Sequence, residues 1–167
     1  SGSLDGGGFT IRNLSIDRSN DDIIGLFGSV NGASFKNVII KHGLVRGRYE
    51  TGGLVGRASN ASINGCSFSG SVFGYHTVGG LVGKSDGSNI QDSWASGYVT
   101  GDGFCIGGLI GACTINGGTI RNSHAQSQVT GGANAGGLIG DAQNNVNIIN
   151  CYAVTSTKGP YRIGGLV

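Results

Sequence analysis

The sequence predicts an all-β protein, a parallel β-helix (β-solenoid) of five to six coils with about 28 residues in each coil. Three observations carry this prediction. A short Gly-rich motif returns at a nearly fixed spacing, apolar residues recur in register between its copies, and no segment of the chain has helical periodicity. Because one such coil cannot bury its apolar face alone, stacked coils must form a continuous core.

The repeated motif is Gly-Gly-Leu followed by Val or Ile and then Gly. Complete copies occupy residues 52–56, 79–83, 107–111 and 136–140, with a degenerate copy at 24–28 and a partial one at 164–167. Its leucines, at 26, 54, 81, 109, 138 and 166, are separated by 28, 27, 28, 29 and 28 residues. A phosphate-binding Gly loop would need a following helix and usually a Lys, which these copies lack. We therefore predict structural glycine turns at Gly52, Gly53, Gly79, Gly80, Gly107, Gly108, Gly136 and Gly137.

Apolar residues between the motifs form further columns. A landmark residue follows each leucine by nine to eleven positions, at Phe35, Ile63, Ile90, Ile120 and Ile148. The third position after it holds Val38, Cys66, Ser93, Ser123 and Cys151, the fifth holds Ile40, Phe68, Ala95, Ala125 and Ala153, and the ninth holds Leu44, Val72, Val99, Val129 and Thr157. Gly and Asn between these short segments supply the positive φ angles that tight corners need. The N-terminal residues Ile11, Leu14 and Ile16 fit the first three columns, so we expect a shorter first coil there.

Composition supports one ordered domain, residues 1–167. Gly contributes 35 residues, but 38% of the chain is hydrophobic, which is too much for a disordered segment. The long Gly spacing excludes collagen. A net charge of +2 gives no reason to expect a nucleic-acid partner, and no apolar run is long enough to span a membrane. Because the sequence stops inside a repeat, we expect it to be a fragment of a longer protein.

The repeat resembles the GLUG motif. Gly-Gly-Leu-Val-Gly is followed by Ile-x-x-Ser/Cys-x-Ala and x-Val-x-Gly, and residues 4–16 (LDGGGFTIRNLSI) are similar to the lead-in of such arrays. The resemblance implies a bacterial surface or secreted protein, as in large adhesins and the non-catalytic region of streptococcal immunoglobulin A peptidases. It implies no activity for the repeats. The His-Glu-x-x-His motif of the peptidases' zinc domain is absent from the sequence.

We therefore expect a non-enzymatic structural or adhesion module, extracellular or on the cell surface, that needs no cofactor. Its partners would be a host protein or glycan and the neighbouring repeats or domains of its parent protein. Two alternatives remain open at this point: a glycan-binding module and, third, a β-helical polysaccharide-active enzyme. Such an enzyme needs two or three carboxylates on adjacent coils. The acids here fall in different columns, and Glu50 is the only Glu.

The candidate binding residues lie at the fourth position after the landmark. This position reads Ile39, Ser67, Trp94, His124 and Tyr152. Since neighbouring strand residues point to opposite faces, it should be exposed. We predict that Trp94, His124 and Tyr152 form an aromatic stripe that binds a ligand. The alternative is that these rings stack across strands and stabilise the sheet. A looser aromatic cluster precedes the Gly-Gly pairs, at Tyr49, Tyr75, Phe104 and Tyr161.

Metal chemistry has little support in the sequence. His42, His76 and His124 occupy different coil positions, so we expect no transition-metal site. The loop acids Asp17, Asp21 and Asp22 are either solvated or ligands of a calcium ion. A basic cluster is either a patch for an anionic partner or a solvated edge: Lys36, Lys41, Arg46, Arg48 and Arg57.

The four cysteines do not define a disulfide. Cys66 and Cys151 share a column but lie three coils apart, about 14 Å at the usual strand spacing, which is too far to bond. Cys105 and Cys113 flank one extended motif copy and are also too far apart. We expect Cys66 and Cys151 to be small buried thiols, while a bridge between coils, such as Cys66 to Cys113, stays open.

Overall fold

The computed structural model describes residues 1–114 and 117–167. All regular structure in these residues is β-strand, arranged in three parallel sheets. The first sheet has one strand from each coil: β1 (Ser3–Asp5), β5 (Ser34–Lys36), β9 (Ser62–Asn64), β13 (Asn89–Gln91), β16 (Gly118–Arg121) and β19 (Val146–Ile149). Six strands in this sheet mean six coils, which confirms the predicted β-solenoid.

The second sheet is the largest and wraps around a corner of the coil. It consists of β2 (Thr10–Arg12), β3 (Ser15–Asp17), β6 (Ile39–Arg46), β7 (Tyr49–Gly52), β10 (Ser67–Gly74), β11 (His76–Gly79), β14 (Trp94–Gly107), β17 (His124–Gly136), β20 (Tyr152–Ala153), β21 (Ser156–Lys158) and β22 (Tyr161–Gly164). The third sheet carries the end of each Gly-rich motif: β4 (Phe27–Asn31), β8 (Val55–Ser59), β12 (Val82–Asp86), β15 (Ile110–Thr114) and β18 (Ile139–Ala142).

The predicted landmark column is confirmed by the strand registers. Phe35 pairs with Ile63, which pairs with Ile90 and, through it, Ile120. These side chains are at most 5% exposed, and the motif leucines 54, 81, 109 and 138 are fully buried beside them. The core is therefore a set of apolar columns that run the length of the stack.

The expected assignment of the first coil was wrong. Leu4, not Ile11, pairs with Phe35 at the head of the landmark column, while Ile11 pairs with Ile40 in the fifth column. The physical reason is a glycine turn between the two strands, in which Gly7 and Gly8 have φ of 59° and 77°.

The ninth column also needs a correction in the second coil. The register slips between Phe68 and Gly70, so that Val72 pairs with Val45 instead of Leu44. His42 takes φ of 56° at this irregularity, as a bulged residue does. Val45 is therefore fully buried, and Leu44 turns outward.

The glycine pairs of the motif lie where the chain passes from the second sheet to the third, as between β7 and β8. None of the eight has a positive φ, so they do not make left-handed turns. Glycine is needed at these positions because the backbones of neighbouring coils contact each other there and leave no room for a Cβ atom. A Cβ on Gly53 would lie 2.5 Å from the Gly80 carbonyl oxygen, and a Cβ on Gly80 would lie against the Gly108 carbonyl and 2.7 Å from the Ala95 methyl.

The left-handed corner lies two positions before the first glycine of each motif copy. It is formed by non-glycine residues in every coil: Ile23, Glu50, Thr77, Cys105, Asn134 and Arg162. The last glycine of the motif accommodates this corner, because a Cβ on Gly83 would lie 2.6 Å from the Glu50 carbonyl carbon. Asn residues make a second corner, as predicted: Asn122 (φ 49°) and Asn150 (φ 51°) are linked by their side-chain amides at 3.3 Å.

Thr51→Val should raise the free energy of unfolding by about 1 kcal/mol. The Thr51 hydroxyl is fully buried and finds no hydrogen-bond partner in residues 1–114 or 117–167. The next coil places Val78 at the same register position, so valine fits this column. Thermal unfolding should show a rise of roughly 2–4 °C. The exposed Thr130→Val is the control and should leave the midpoint unchanged; a loss of stability in Thr51→Val would contradict the argument.

Candidate functional site

The predicted aromatic stripe forms a stacked row on the outer face of the second sheet. Trp94 pairs in register with His124, and His124 pairs with Tyr152. The Trp94 and His124 ring centroids lie 6.1 Å apart with planes at 12°, and those of His124 and Tyr152 lie 4.7 Å apart at 3°. The rings stack face to face, so each partly covers its neighbour's face and presents its edge outward. Tyr152 remains 54% exposed.

Ser67 lies next to the Trp94 end of the row. Ser67, which pairs in register with Trp94, is only 3% exposed although it lies on the outer face. Partial burial in the row lowers the pKa of His124, because desolvation disfavours the imidazolium. The stacked row therefore carries a neutral imidazole at neutral pH, which favours cross-strand stacking.

The stability that His124 contributes should decrease as the pH is lowered. Its pKa is lower in the folded chain than the usual 6.5, so the unfolded chain binds more protons below that value. Wild type should therefore lose more stability between pH 7 and pH 5 than His124→Gln does. Urea unfolding at the two pH values measures this difference, and equal losses in both proteins would argue against a desolvated imidazole.

A second stacked row lies on the other part of the same sheet, and the sequence had only partly predicted it. Tyr49, His76 and Phe104 occupy successive coils, with centroid distances of 5.4 and 5.0 Å and planes at 17° and 10°. His76 was not part of the expected cluster. Its Nδ1 accepts the Phe104 backbone N–H at 2.7 Å, which explains its fixed orientation. Tyr75 lies beside this row, 4.3 Å from the His76 centroid.

Most of the predicted basic cluster is paired with acids. Arg46 contacts Asp17 at 3.2 Å, Arg48 contacts Asp22 at 2.8 Å, and Arg57 contacts Glu50 at 2.5 Å. Asp21 pairs with Arg18 at 2.6 Å. The Arg48 side chain lowers the pKa of Asp22 by hydrogen bonding to its carboxylate. The three loop aspartates therefore each bind a different arginine, and the arginines do not form an uncompensated patch.

One group of acids and bases was missed by the sequence reasoning, which had placed the acids in unrelated columns. Glu50 and Asp86 approach the Lys84 ammonium at 3.9 and 4.0 Å, and both carboxylates are less than one-fifth exposed. Glu50 also accepts two hydrogen bonds from Arg57, at 2.5 and 2.6 Å, and Asp86 accepts one from Thr114. The left-handed corner at Glu50 turns its side chain toward the third sheet. Assigning residues to repeat positions in the sequence does not reveal this change of direction.

The cysteines are free thiols. Cys66 is fully buried and Cys151 partly so, in the column that holds Ser93 and Ser123. Burial raises the pKa of Cys105 to about 11 and that of Cys113 to about 12, with a further contribution from the nearby Asp141. These two thiols are therefore protonated at neutral pH and are weak nucleophiles.

Residues 1–114 and 117–167 are the part of the chain that the structure describes. In this part of the chain no three His, Cys, Asp or Glu side chains are grouped to hold a metal ion. The same residues contain no helix that could cross a membrane.

Comparisons with known proteins agree with the repeat and the fold. Residues 47–72 match the GLUG motif, as the sequence predicted. A stretch of 72 residues, 42% of this chain, is 44% identical to part of halomucin from Haloquadratum walsbyi (strain DSM 16790 / HBSQ001) and covers 1% of that protein. The crystal structure of a candidate immunoglobulin A1 protease from Bacteroides ovatus matches 93% of this chain with a TM-score of 0.55. It is 18% identical and the match covers 51% of that chain, so this likeness shows a shared fold.

Proposed function

We propose that this chain, a β-solenoid that carries the GLUG motif, is a non-catalytic structural and adhesion module of a cell-surface or secreted protein. The main support for this proposal is that the repeated residues lie inside the stack and between its coils. The motif leucines are buried, and each full glycine pair lies against the backbone of the next coil. What repeats in the sequence thus builds the stack.

The module would act as a short rigid spacer that displays variable side chains. Six coils at about 4.8 Å per coil give a rod of about 25–30 Å. Sequence similarity to halomucin and a fold shared with the Bacteroides ovatus protein support a surface or secreted setting. In that setting the rod would present its outer faces to a host protein or glycan and would continue into neighbouring repeats or domains.

The test is to purify the chain and to measure folding and activity separately. Without added metal or cofactor, and in the presence of EDTA, it should unfold cooperatively at an unchanged temperature. Incubation with immunoglobulin A1 and with a polysaccharide panel should give no cleavage products. Cleavage that is abolished in Glu50→Gln would overturn the proposal and favour the polysaccharide-active enzyme, since Glu50 and Asp86 both lie near Lys84.

Glycan binding is a second candidate function, and one observation favours it. The stacked row of Trp94, His124 and Tyr152 places aromatic edges and one open tyrosine on successive coils of an outer face. Such side chains combine a rigid apolar body with a polar tip on Tyr and Trp, which suits the mixed apolar and hydroxyl surface of a sugar. Trp94 is the only tryptophan, so its fluorescence reports on this row directly. Trp94→Ala should remain folded by circular dichroism and should lose any glycan binding; binding that is unchanged would remove the row from the site.

A further inference from the structure

We infer that the aromatic row is one side of a larger uncharged face whose hydrogen-bonding side is formed by Tyr98, Gln126 and Gln128, and that this face takes a neutral glycan. This inference rests on the glycan-binding candidate and deepens it by naming the ligand class. The uncharged face consists of six residues: Trp94, Tyr98, His124, Gln126, Gln128 and Tyr152.

Strand register places these residues together. On β14, Trp94 and Tyr98 are four residues apart and lie on the outer face, and their partners on β17 are His124 and Gln128. Gln126 lies between those two partners and also points outward, because the intervening Ala125 and Ser127 are buried. The face therefore spans three coils along the axis and about 13 Å along the strands.

The chemistry of this face is polar but uncharged. The three strand segments 94–98, 124–128 and 152–156 contain no Asp, Glu, Lys or Arg. His124 is neutral near pH 7, since desolvation lowers its pKa. A nucleic acid needs cations for its phosphates, and an acidic glycan likewise needs a positive partner. The face offers no positive charge, so a neutral ligand matches it best.

The hydrogen-bonding side is concave and its side chains are free. A shallow hollow of about 440 Å³ is lined by Tyr98, Gln126 and Gln128 and, from the last coil, by Val154, Thr155 and Ser156. Tyr98 is 54% exposed. In the part of the chain that the structure describes, neither glutamine side chain makes a hydrogen bond. Each amide offers both donors and an acceptor, which suits the hydroxyl groups of a sugar.

A glycan fits these features better than a polypeptide does. Protein interfaces centre on a buried apolar cluster, and the hollow has one exposed aliphatic side chain, Val154 at 59%. Here aromatic rings lie along one side and amides along the other, so a sugar chain lying across the coils would place apolar ring surface on the first and hydroxyls on the second.

Calorimetric titration of the whole chain tests the inference. The probes are hexasaccharides of β-1,4-linked glucose and of N-acetylglucosamine, with the hexamer of galacturonic acid as the anionic comparison. We expect at least one neutral hexamer to bind, and the anionic hexamer to bind at least roughly tenfold more weakly. Gln126→Ala and Gln128→Ala should each weaken binding about tenfold. Gln91→Ala, an exposed glutamine on the first sheet, is the matched control and should change nothing.

The outcomes separate this inference from the broader candidate function. Binding that is lost in Trp94→Ala but unchanged in both glutamine variants would support glycan binding and overturn the assigned hydrogen-bonding side. Tighter binding of the galacturonic acid hexamer would overturn the neutral ligand class. If no hexamer binds, both the candidate function and this inference fail, while the structural module remains. Circular dichroism of each variant confirms that a lost signal is not lost folding.

Discussion

Gly80→Ala should destabilise the solenoid by about 4 kcal/mol, one of the largest effects expected of any single methyl group in this chain. Its Cβ would lie against the Gly108 carbonyl oxygen of the next coil and 2.7 Å from the Ala95 methyl. Neither neighbour can yield easily, because hydrogen bonds hold the coils together, among them Leu81 N–H to the Leu109 carbonyl at 2.9 Å. The backbone itself would have to open. In a domain of this size the thermal midpoint should fall by roughly 8–16 °C.

The chain contains a well-matched control for this prediction. Gly165 is the equivalent glycine of the last motif copy, and a Cβ there would meet nothing within 4 Å. Gly165→Ala should therefore change the midpoint by less than about 1 °C. If both variants are equally stable, backbone contact between coils is not the reason for the repeated glycine. If both are equally unstable, the cause is conformational instead of steric.

Phe68→Ala should cost about 3–5 kcal/mol. Phe68 is fully buried and is the largest side chain of its column, which holds Ile40 before it and Ala95 after it. Its ring occupies the space above Gly43 and Gly53, where an added Cβ would collide with it. Because parallel strands on both sides hold the coil at its spacing, the space would remain largely unfilled.

Chemical denaturation measures this second effect. The midpoint should shift to lower urea concentration with an unchanged slope, since the surface exposed on unfolding is nearly the same. Phe9→Ala is the control, because Phe9 is 83% exposed and should contribute little. A loss of less than about 1 kcal/mol in Phe68→Ala would contradict the prediction. It would mean that this coil closes around alanine, the residue that Ala95 and Ala125 supply at the same column in later coils.

The parts of the fold that sequence predicts are those that depend on spacing. The motif leucines and the landmark column, such as Ile63 and Ile90, appear in register as expected, because a repeat of constant length brings equivalent residues together. Prediction was wrong where the length varies locally. One bulged residue at His42 moved Val45 inward in place of Leu44, and counting positions cannot detect such an insertion.

In the candidate site, too, the sequence predicts what depends on repeat spacing and misses what depends on local backbone conformation. The row of Trp94, His124 and Tyr152 follows from alternation along strands, and its register was predictable. The meeting of Glu50 with Lys84 was not, because it depends on a left-handed corner at Glu50, φ 53°, that changes the direction of the chain. Isoleucine and threonine take that conformation rarely, so their presence at the same corner in other coils gave no signal.

The parallel stacking of the coils determines how this protein would respond to a pulling force. Strands lie across the axis, so the hydrogen bonds between coils, such as Leu109 N–H to the Leu138 carbonyl at 2.9 Å, point along it. Tension between the two ends loads these bonds directly and opens the terminal coil first. Each opened coil of about 28 residues releases roughly 90 Å of extended chain. A tether of this design lengthens stepwise under load, coil by coil, and absorbs work at every step.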